Sequence, residues 1–203
     1  MRDVVRFLRD ALSGEKVTKT YDSFTVEGFR LGVRPEVVPP ILVAGLREGM
    51  LRLAGREADG AIINWCSPDD VPKLTAVVQG AAGGAPREIV ARIFVCPSEN
   101  AQAVRAGARF AIAAYMNVPV YAEYQRWLGR GPLLQGMWDA WQGGDRKAAL
   151  AAIPDEVIDQ LVVHGSPEAC RARIASYFAN GVTTSSLAIL GLVLYPLPGR
   201  SEE

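Results

Sequence analysis

Ala44, Gly45, Leu46 and Arg47 form a short stretch whose residue types and spacing point to chemistry. They follow Ile41-Leu42-Val43-Ala44, an apolar run of the length a buried strand takes. Beyond them, Leu46, Met50, Leu53 and Ala54 fall at i, i+4, i+7 and i+8, one face of a helix. Gly45 lets the backbone turn sharply or approach a ligand closely. A helix opening there offers unpaired N–H groups and the positive end of its dipole to an anion. Arg47 in the first turn works against that dipole unless something negative lies near. Glu48 is one candidate, a bound phosphate is another, and an arginine turned into water is the third reading. A single glycine is a weaker signal than a GxGxxG run.

Asp59-Gly60 closes the helix, and Ala61-Ile62-Ile63-Asn64-Trp65 runs apolar again as a second strand, so Pro40 to Ser67 reads as a βαβ unit. Ser67, Pro68, Asp69 and Asp70 then suit an N-cap, a first helical position and a positive dipole end. That role explains the paired carboxylates without general acid–base chemistry. Asp155, Glu156 and Asp159 read as a solvated helical face. Cys66, Cys96 and Cys170 are odd in number and lack a CxxC, which argues for buried thiols in a reducing cytoplasm rather than a disulfide frame or zinc site. No Ser-His-Asp set, Cys-His set or metal cluster stands out, and no residue is singled out as catalytic.

The elements that must position these residues can be read in chain order. Val4, Val5, Leu8 and Leu12 mark an amphipathic helix ended by Ser13-Gly14. Glu15 to Arg30 reads as a long loop or small hairpin. The helix after Ser67 runs to about Gln79. Arg87 to Cys96 is a third strand, rich in β-branched residues. Pro97-Ser98-Glu99 opens a helix with Ala101, Val104, Ala108 and Ile112 on one face. Residues 117–163 break the strand–helix rhythm as a helical insertion holding Tyr121, Tyr124, Trp127, Trp138 and Trp141. This aromatic group reads either as a wall over a ligand pocket or as a helical pair packed outside the domain, with the second preferred. Asp145 to Ile153 and Pro154 to Val163 are short helices. Ser166-Pro167-Glu168 starts another, with Cys170, Ile174, Tyr177 and Phe178 inward. Thr183 to Leu190 is the fourth strand, and 196–203 reads as a flexible tail. Alternating strands and helices imply a parallel sheet in an α/β protein, and the whole of 1–203 is read as a single partial domain.

The 203 residues suffice for one well-buried domain. With 49% hydrophobic and 22% charged residues, the composition is that of a soluble globular protein. A net charge of +0 recommends neither nucleic acid nor an anionic membrane as partner. No apolar run nears a membrane span, and the charged MRDVVRFLRD start lacks a signal peptide's apolar core, which again points to the cytoplasm.

The order of elements, with LRLAGREADGAIINWCSP and VVHGSPEACRARIASYFANGV, resembles the C-terminal half of the luciferase-like flavin monooxygenase superfamily, most closely its branch using the deazaflavin coenzyme F420. The L-A-G-x-x-A-D-G core (Leu53 to Gly60) and the G-S-P-E-x-C-x-x-R-I run (Gly165 to Ile174) carry the likeness. It implies a (β/α)8 TIM barrel, of which about four parallel strands, near residues 41, 61, 88 and 184, are present as the second half. Four strands cannot close a barrel. The resemblance therefore implies either part of a longer protein or a half-barrel that joins a complementing half-barrel chain or a homo-oligomer. It places the coenzyme phosphate at Ala44, Gly45, Leu46 and Arg47, although a Gly-Pro pair commonly stands near Arg47-Glu48. Asn64 and Trp65, with Cys66, fall on the active face as pocket lining. His164 precedes a helix on the amino-terminal side of the last strand, the stability face of a barrel, and is expected to have no catalytic part.

The implied function is an oxidoreductase moving a hydride between F420, or alternatively FMN, and a small organic substrate. The competing readings are a non-catalytic half-barrel fragment, and an unrelated α/β protein holding a phosphorylated metabolite at the same turn.

Overall fold

The computed structural model describes residues 1–191, and the tail expected at 196–203 lies outside them. In chain order the elements are α1 (Arg2–Leu12), β1 (Val17–Thr20), β2 (Thr25–Phe29), β3 (Leu42–Ala44), α2 (Glu48–Glu57) and β4 (Gly60–Asn64). A 3-10 turn (Pro68–Asp70) leads into α3 (Val71–Gly80), followed by β5 (Glu88–Cys96), α4 (Ala101–Met116), α5 (Pro119–Trp127) and α6 (Gly131–Gln142). The chain then forms α7 (Arg146–Ala151), α8 (Asp155–Leu161), β6 (Val162–His164), α9 (Pro167–Ala179) and β7 (Thr184–Ile189). Two compact units result: Met1–Ile63 with Lys73–Val90, and Asn64–Pro72 with the chain from Ala91 onward.

In the first unit, β3 and β4 pair in parallel with Leu42 opposite Gly60 and Ala44 opposite Ile62, and α2 is their crossover, as the βαβ reading requires. The L-A-G-x-x-A-D-G residues have packing reasons. A Cβ on Gly55 would stand 2.2 Å from the Val78 carbonyl oxygen, so only glycine lets α2 lie this close to the end of α3. A Cβ on Gly60 would stand 2.3 Å from the Glu88 carbonyl oxygen. Asp59 accepts from the Ile41 N–H at 2.7 Å and from Arg9 Nη2 at 2.8 Å, tying the start of β3 and α1 to one carboxylate. The buried face of α2 is Leu51, Ala54 and Gly55, while Met50 and Leu53 are only half-buried. This face is turned from the expected one because the tightest contact is made through the side-chain-free Gly55.

Helix α1 meets α2 through Arg6, which donates from Nε and Nη2 to the two Glu57 oxygens at 2.9 Å each. Its Phe7 packs edge-on against Tyr21, Phe24 and Phe29 of the β1–β2 segment. Those strands pair antiparallel, so residues 15–30 take the hairpin alternative.

Strand β5 passes from the first unit into the second, and from Ile89 to Cys96 every residue but Arg92 is buried, the pattern of a strand covered on both faces. In the second unit, β6 pairs with it in parallel, Phe94 opposite Val162 and Cys96 opposite His164. The sequence reading placed Val162 and Val163 at the end of a helix. The helix stops at Leu161 instead, because a three-residue strand is too short to show a period and two β-branched valines gain more beside β5. Strand β7 also pairs with β5, where the Leu190 N–H donates to the Val95 carbonyl at 2.8 Å.

Residues 119–161 form four helices. Trp138 is buried and donates from Nε1 to the Met116 carbonyl at 2.9 Å, fixing α6 to the end of α4. Asp155 and Asp159 are not simply solvated: Arg105 donates to both Asp159 oxygens, and Arg109 pairs with Asp155. The G-S-P-E-x-C run is a helix start. Gly165 sits at φ +115°, Ser166 Oγ accepts from the Ala169 N–H at 3.2 Å, and Pro167 takes the first helical position. Cys170 and Tyr177 of α9 face inward, whereas Ile174 is half-buried and Phe178 is exposed, a correction to the expected face.

Candidate functional site

In the first unit, Ala44 ends β3, and the Gly45 N–H donates to the Ile62 carbonyl at 3.1 Å, extending the ladder one residue past the strand. A Cβ on Gly45 would crowd Leu51 Cδ2 at 3.1 Å and the Leu51 backbone nitrogen at 3.2 Å, so glycine sets how tightly the chain folds back on the first turn of α2. Leu46 is half-buried and Arg47 is exposed. Arg47 is the N-cap residue, with extended φ −123° and ψ 171°, and no side chain caps the helix. The first intrahelical bond runs from the Leu51 N–H to the Arg47 carbonyl at 3.1 Å, which leaves the N–H groups of Glu48, Gly49 and Met50 as first-turn donors. Among the described residues, leaving aside its chain neighbours and its own helix backbone, nothing lies within 4 Å of where a Gly49 Cβ would stand. The Glu48 carboxylate pairs with Arg52 at 3.2 Å, one turn down the helix.

In the second unit, Asn64 and Trp65 lie at the carboxyl end of β4. Trp65 adopts φ +50°, a left-handed conformation rare for a bulky residue. Two hydrogen bonds hold it there. Its N–H donates to Asn64 Oδ1 at 2.9 Å, and its carbonyl accepts from Gln125 Nε2 at 2.8 Å. The indole is 1% exposed and stacks on Phe94 with ring centroids 3.9 Å apart. Tyr115 tilts against the same indole at 5.1 Å, and Tyr121 meets Tyr115 edge-on at 5.4 Å. The buried Trp65 Nε1 has no hydrogen-bond partner among the described residues.

A buried polar cluster follows directly. Ser67 and Asp70 form a capping box, with the Asp70 Oδ2 accepting from the Ser67 N–H and Oγ. Arg130 Nη2 donates to the same Oδ2 at 2.7 Å and to Ser67 Oγ at 3.1 Å. Its Nη1 donates to Gln125 Oε1 at 3.2 Å and its Nε to Gln160 Oε1 at 2.7 Å. Gln125 therefore links the buried guanidinium to the Trp65 carbonyl. On the other side, the Tyr177 hydroxyl donates to the Cys66 carbonyl at 2.8 Å. Burial first, and then the Asp70 carboxylate, push the Cys66 thiol up to about 12, so it is a packing group rather than a nucleophile.

Gln125, Arg130 and Tyr177 were not legible as members of this cluster, because they lie at least 50 residues from Trp65 in sequence and nothing local marks them; the Gly129-Arg130-Gly131 setting is the nearest hint. Asp70 has the helix-start role read from the sequence and a second role beside Arg130.

His164 is placed differently from its expectation. It ends β6 opposite Cys96, the last residue of β5, so it stands at the carboxyl ends of two parallel strands rather than on an amino-terminal face. The reason is the unforeseen β6, which carries the chain alongside β5 before α9 begins. His164 Nε2 lies 2.9 Å from Asp159 Oδ1, which is itself held by Arg105. All three cysteines are buried and free, and no cluster able to hold a metal occurs among the described residues. Nor is any helix among them long and apolar enough to cross a membrane.

Comparison with known proteins places this geometry. Over 196 residues the chain is 28% identical to the 5,10-methylenetetrahydromethanopterin reductase of Methanolobus tindarius, a match covering 90% of this chain and 57% of that protein. Its fold is similar to that of the coenzyme F420 dependent tetrahydromethanopterin reductase from Methanopyrus kandleri, with a TM-score of 0.76 at 17% identity over 93% of this chain and 56% of the other. It is also similar to an F420-dependent secondary alcohol dehydrogenase in complex with an F420-acetone adduct, with a TM-score of 0.70 at 18% identity over 92% and 54%. These structures are TIM-barrel enzymes, and the chain spans little more than half the length of each relative, so the α/β fold is that of part of a barrel. The family model for luciferase-like monooxygenase matches residues 1–184. On that match, with its parallel βαβ core, the chain belongs to the luciferase-like monooxygenase family.

Proposed function

We propose that this chain is the coenzyme-holding part of an F420-dependent oxidoreductase, with the phosphate of the coenzyme seated at Ala44, Gly45, Leu46 and Arg47. The observation that carries this reading is the turn after β3, where an uncapped helix start, a cationic N-cap residue and a close-packed glycine meet. A helix start leaves its first N–H groups, here those of Glu48, Gly49 and Met50, without partners inside the helix, and an exposed arginine beside them would add a charge-assisted contact to a phosphate. The residues present fit a phosphate-bearing coenzyme. When bound, F420 would supply the hydride chemistry. The work of the protein is to hold the phosphate, to orient the ring and to keep water away. Asn64 and Trp65 are assigned to pocket lining; the two hydrogen bonds on Trp65 give that backbone one fixed shape. F420 is preferred to FMN because the names of the two similar structures given above both include F420. The substrate is a small organic molecule of unassigned class.

The test is a fluorescence titration of the 203-residue chain with F420 and, separately, with FMN, repeated with Arg47→Ala. Saturable binding of F420 that weakens about tenfold on the substitution, the loss of one charge-assisted contact, supports the reading. A folded chain that binds neither coenzyme overturns it. The alternative reading, a half-barrel without activity of its own, would then be the one to test.

A further inference from the structure

Between Ile89 and Cys96, Arg92 is the residue of β5 that is exposed. The strand is central, with β4, β6 and β7 as hydrogen-bonded neighbours, so this charge is no guard on an open edge. The guanidinium lies over the Phe94 ring, its Cζ 4.9 Å from the centroid, and the Trp65 indole stacks on the same ring. That contact gives the cation a place without neutralising it. Among the described residues no carboxylate pairs with Arg92.

Two ladders bring polar side chains to its flanks. On one side the Leu190 N–H donates to the Val95 carbonyl, which in a parallel pair sets Ile189 beside Val95 and, further back on both strands, Ser186 beside Arg92. Side chains alternate along a strand, so Ser186 shares the face of Arg92, while Leu187 and Ile189, 47% and 64% exposed, take the other. On the other side the Glu88 N–H donates to the Asp59 carbonyl, and a Cβ on Gly60 would stand 2.8 Å from Glu88 Cβ, so Gly60 lies beside Glu88. An equal number of residues onward, at the end of β4, Asn64 comes beside Arg92 on the same face. Asn64, Arg92 and Ser186 therefore form one row across β4, β5 and β7, and all three belong to the second unit.

This row is made of donors. Asn64 Oδ1 is taken by the Trp65 N–H at 2.9 Å, which leaves the Nδ2 hydrogens to donate. The guanidinium N–H groups and the Ser186 hydroxyl add to them, and among the described residues none of the three side chains spends these donors on an acceptor. Donors gathered around a fixed positive charge take an anion, and the planar fork of a guanidinium matches the two oxygens of a carboxylate. Arg92 and Ser186 are exposed and Asn64 is half-buried, so a small molecule can reach the row.

We propose that Asn64, Arg92 and Ser186 bind the carboxylate of a small organic acid, Arg92 through its paired N–H groups and the amide and hydroxyl from either flank, and that this acid is the substrate of the oxidoreductase. The binding row stands on its own geometry; that its ligand is the substrate rests on the coenzyme reading above.

The experiment is an NMR titration of the isotope-labelled 203-residue chain, without coenzyme, with acetate and separately with inorganic phosphate at constant ionic strength. The signals followed are the Arg92 Nε–H and the Asn64 Nδ2–H. The expected result is a saturable shift of both with millimolar acetate, and weaker binding of phosphate. Arg92→Gln is expected to weaken acetate binding about tenfold, the loss of a charge-assisted contact, and Ser186→Ala to weaken it less. Arg47→Ala should leave it unchanged. A folded wild-type chain in which neither signal moves with acetate overturns the proposal, and so does one that binds phosphate more tightly than acetate. If Arg92→Gln fails to fold, Arg92→Lys, which keeps the charge but loses the fork, and the wild-type shifts decide the matter. Acetate binding by a chain that takes up neither coenzyme supports the row and overturns its link to the oxidoreductase.

Discussion

Arg130 Nη2 and Asp70 Oδ2 lie 2.7 Å apart with side chains only 6% and 10% exposed, joining the helical segment of residues 119–161 to the turn after β4. Ser67 Oγ and Gln125 satisfy further atoms of the pair, so the cluster is closed by hydrogen bonds as well as by charge. Removing one member of a buried pair leaves an uncompensated charge, which costs about 3–5 kcal/mol. Arg130→Met and Asp70→Asn are each expected to lose stability in that range by urea denaturation. Arg130→Met/Asp70→Leu should recover part of it, since the stranded charge is then gone. Single variants within 1 kcal/mol of wild type would show that the pair contributes little.

Gln125 is fully buried and satisfies the carbonyl of Trp65. Gln125→Leu is expected to cost about 1–3 kcal/mol, the penalty of a buried acceptor left unpaired. It should also loosen the φ +50° turn, read as faster amide exchange at Cys66 and Ser67. Unchanged exchange at those two amides would show that the Asn64 contact alone holds the turn.

The glycines of the L-A-G-x-x-A-D-G run are close-approach positions. Gly55→Ala and Gly60→Ala each drive a methyl group against a carbonyl oxygen, and each is expected to cost roughly 3 kcal/mol or to prevent folding. Gly49→Ala, on the same helix as Gly55 with nothing within 4 Å, is expected to be tolerated or mildly stabilising through helix propensity. Thermal melts of the three variants separate the packing account from a general intolerance of α2 to change.

Acid should unfold the chain through its paired carboxyls. Burial pushes the Asp59 carboxyl up, but Arg9 and the Ile41 N–H outweigh it and hold it below the usual range. Arg105 does the same for Asp159, joined by His164 and opposed by burial. A carboxyl depressed in the folded state contributes its stability above the unfolded pKa, and that contribution is lost as pH falls through the folded value. Stability should therefore be flat near about pH 5 and fall toward about pH 3. Asp59→Asn should shallow that fall, measured as urea midpoint against pH. An unchanged slope would assign the acid limb to other carboxyls.

The Cys66 thiol, pushed up to about 12 by burial and by Asp70, is expected to resist alkylation in the native chain near neutral pH. Cys96 and Cys170 are also raised by burial. Mass spectrometry after iodoacetamide should find three labels only when the chain is denatured first. Rapid native labelling of Cys66 would mean that the turn opens.

The sequence by itself determined the parts of this protein that depend on near neighbours. The strand–turn–helix–strand order from Ile41 to Trp65, the helix start at Ser166-Pro167, and the buried β5 follow from periodicity, caps and β-branched runs, which act within a few residues. The family likeness was legible because its motifs are short contiguous runs, although the reason for the Gly55 and Gly60 positions, their close approach to Val78 and Glu88, lies in the tertiary structure. Tertiary structure alone decided what depends on distant partners. It brought Gln125 and Arg130 to Trp65 and Asp70, and it set His164 at the carboxyl end of a strand. It turned α2 onto Leu51 and Gly55, and it left β7 with exposed leucine and isoleucine. Hydrogen bonds and packing between residues 50 or more positions apart leave no period in a sequence, and a three-residue strand such as β6 is stabilised almost wholly by the neighbour it pairs with.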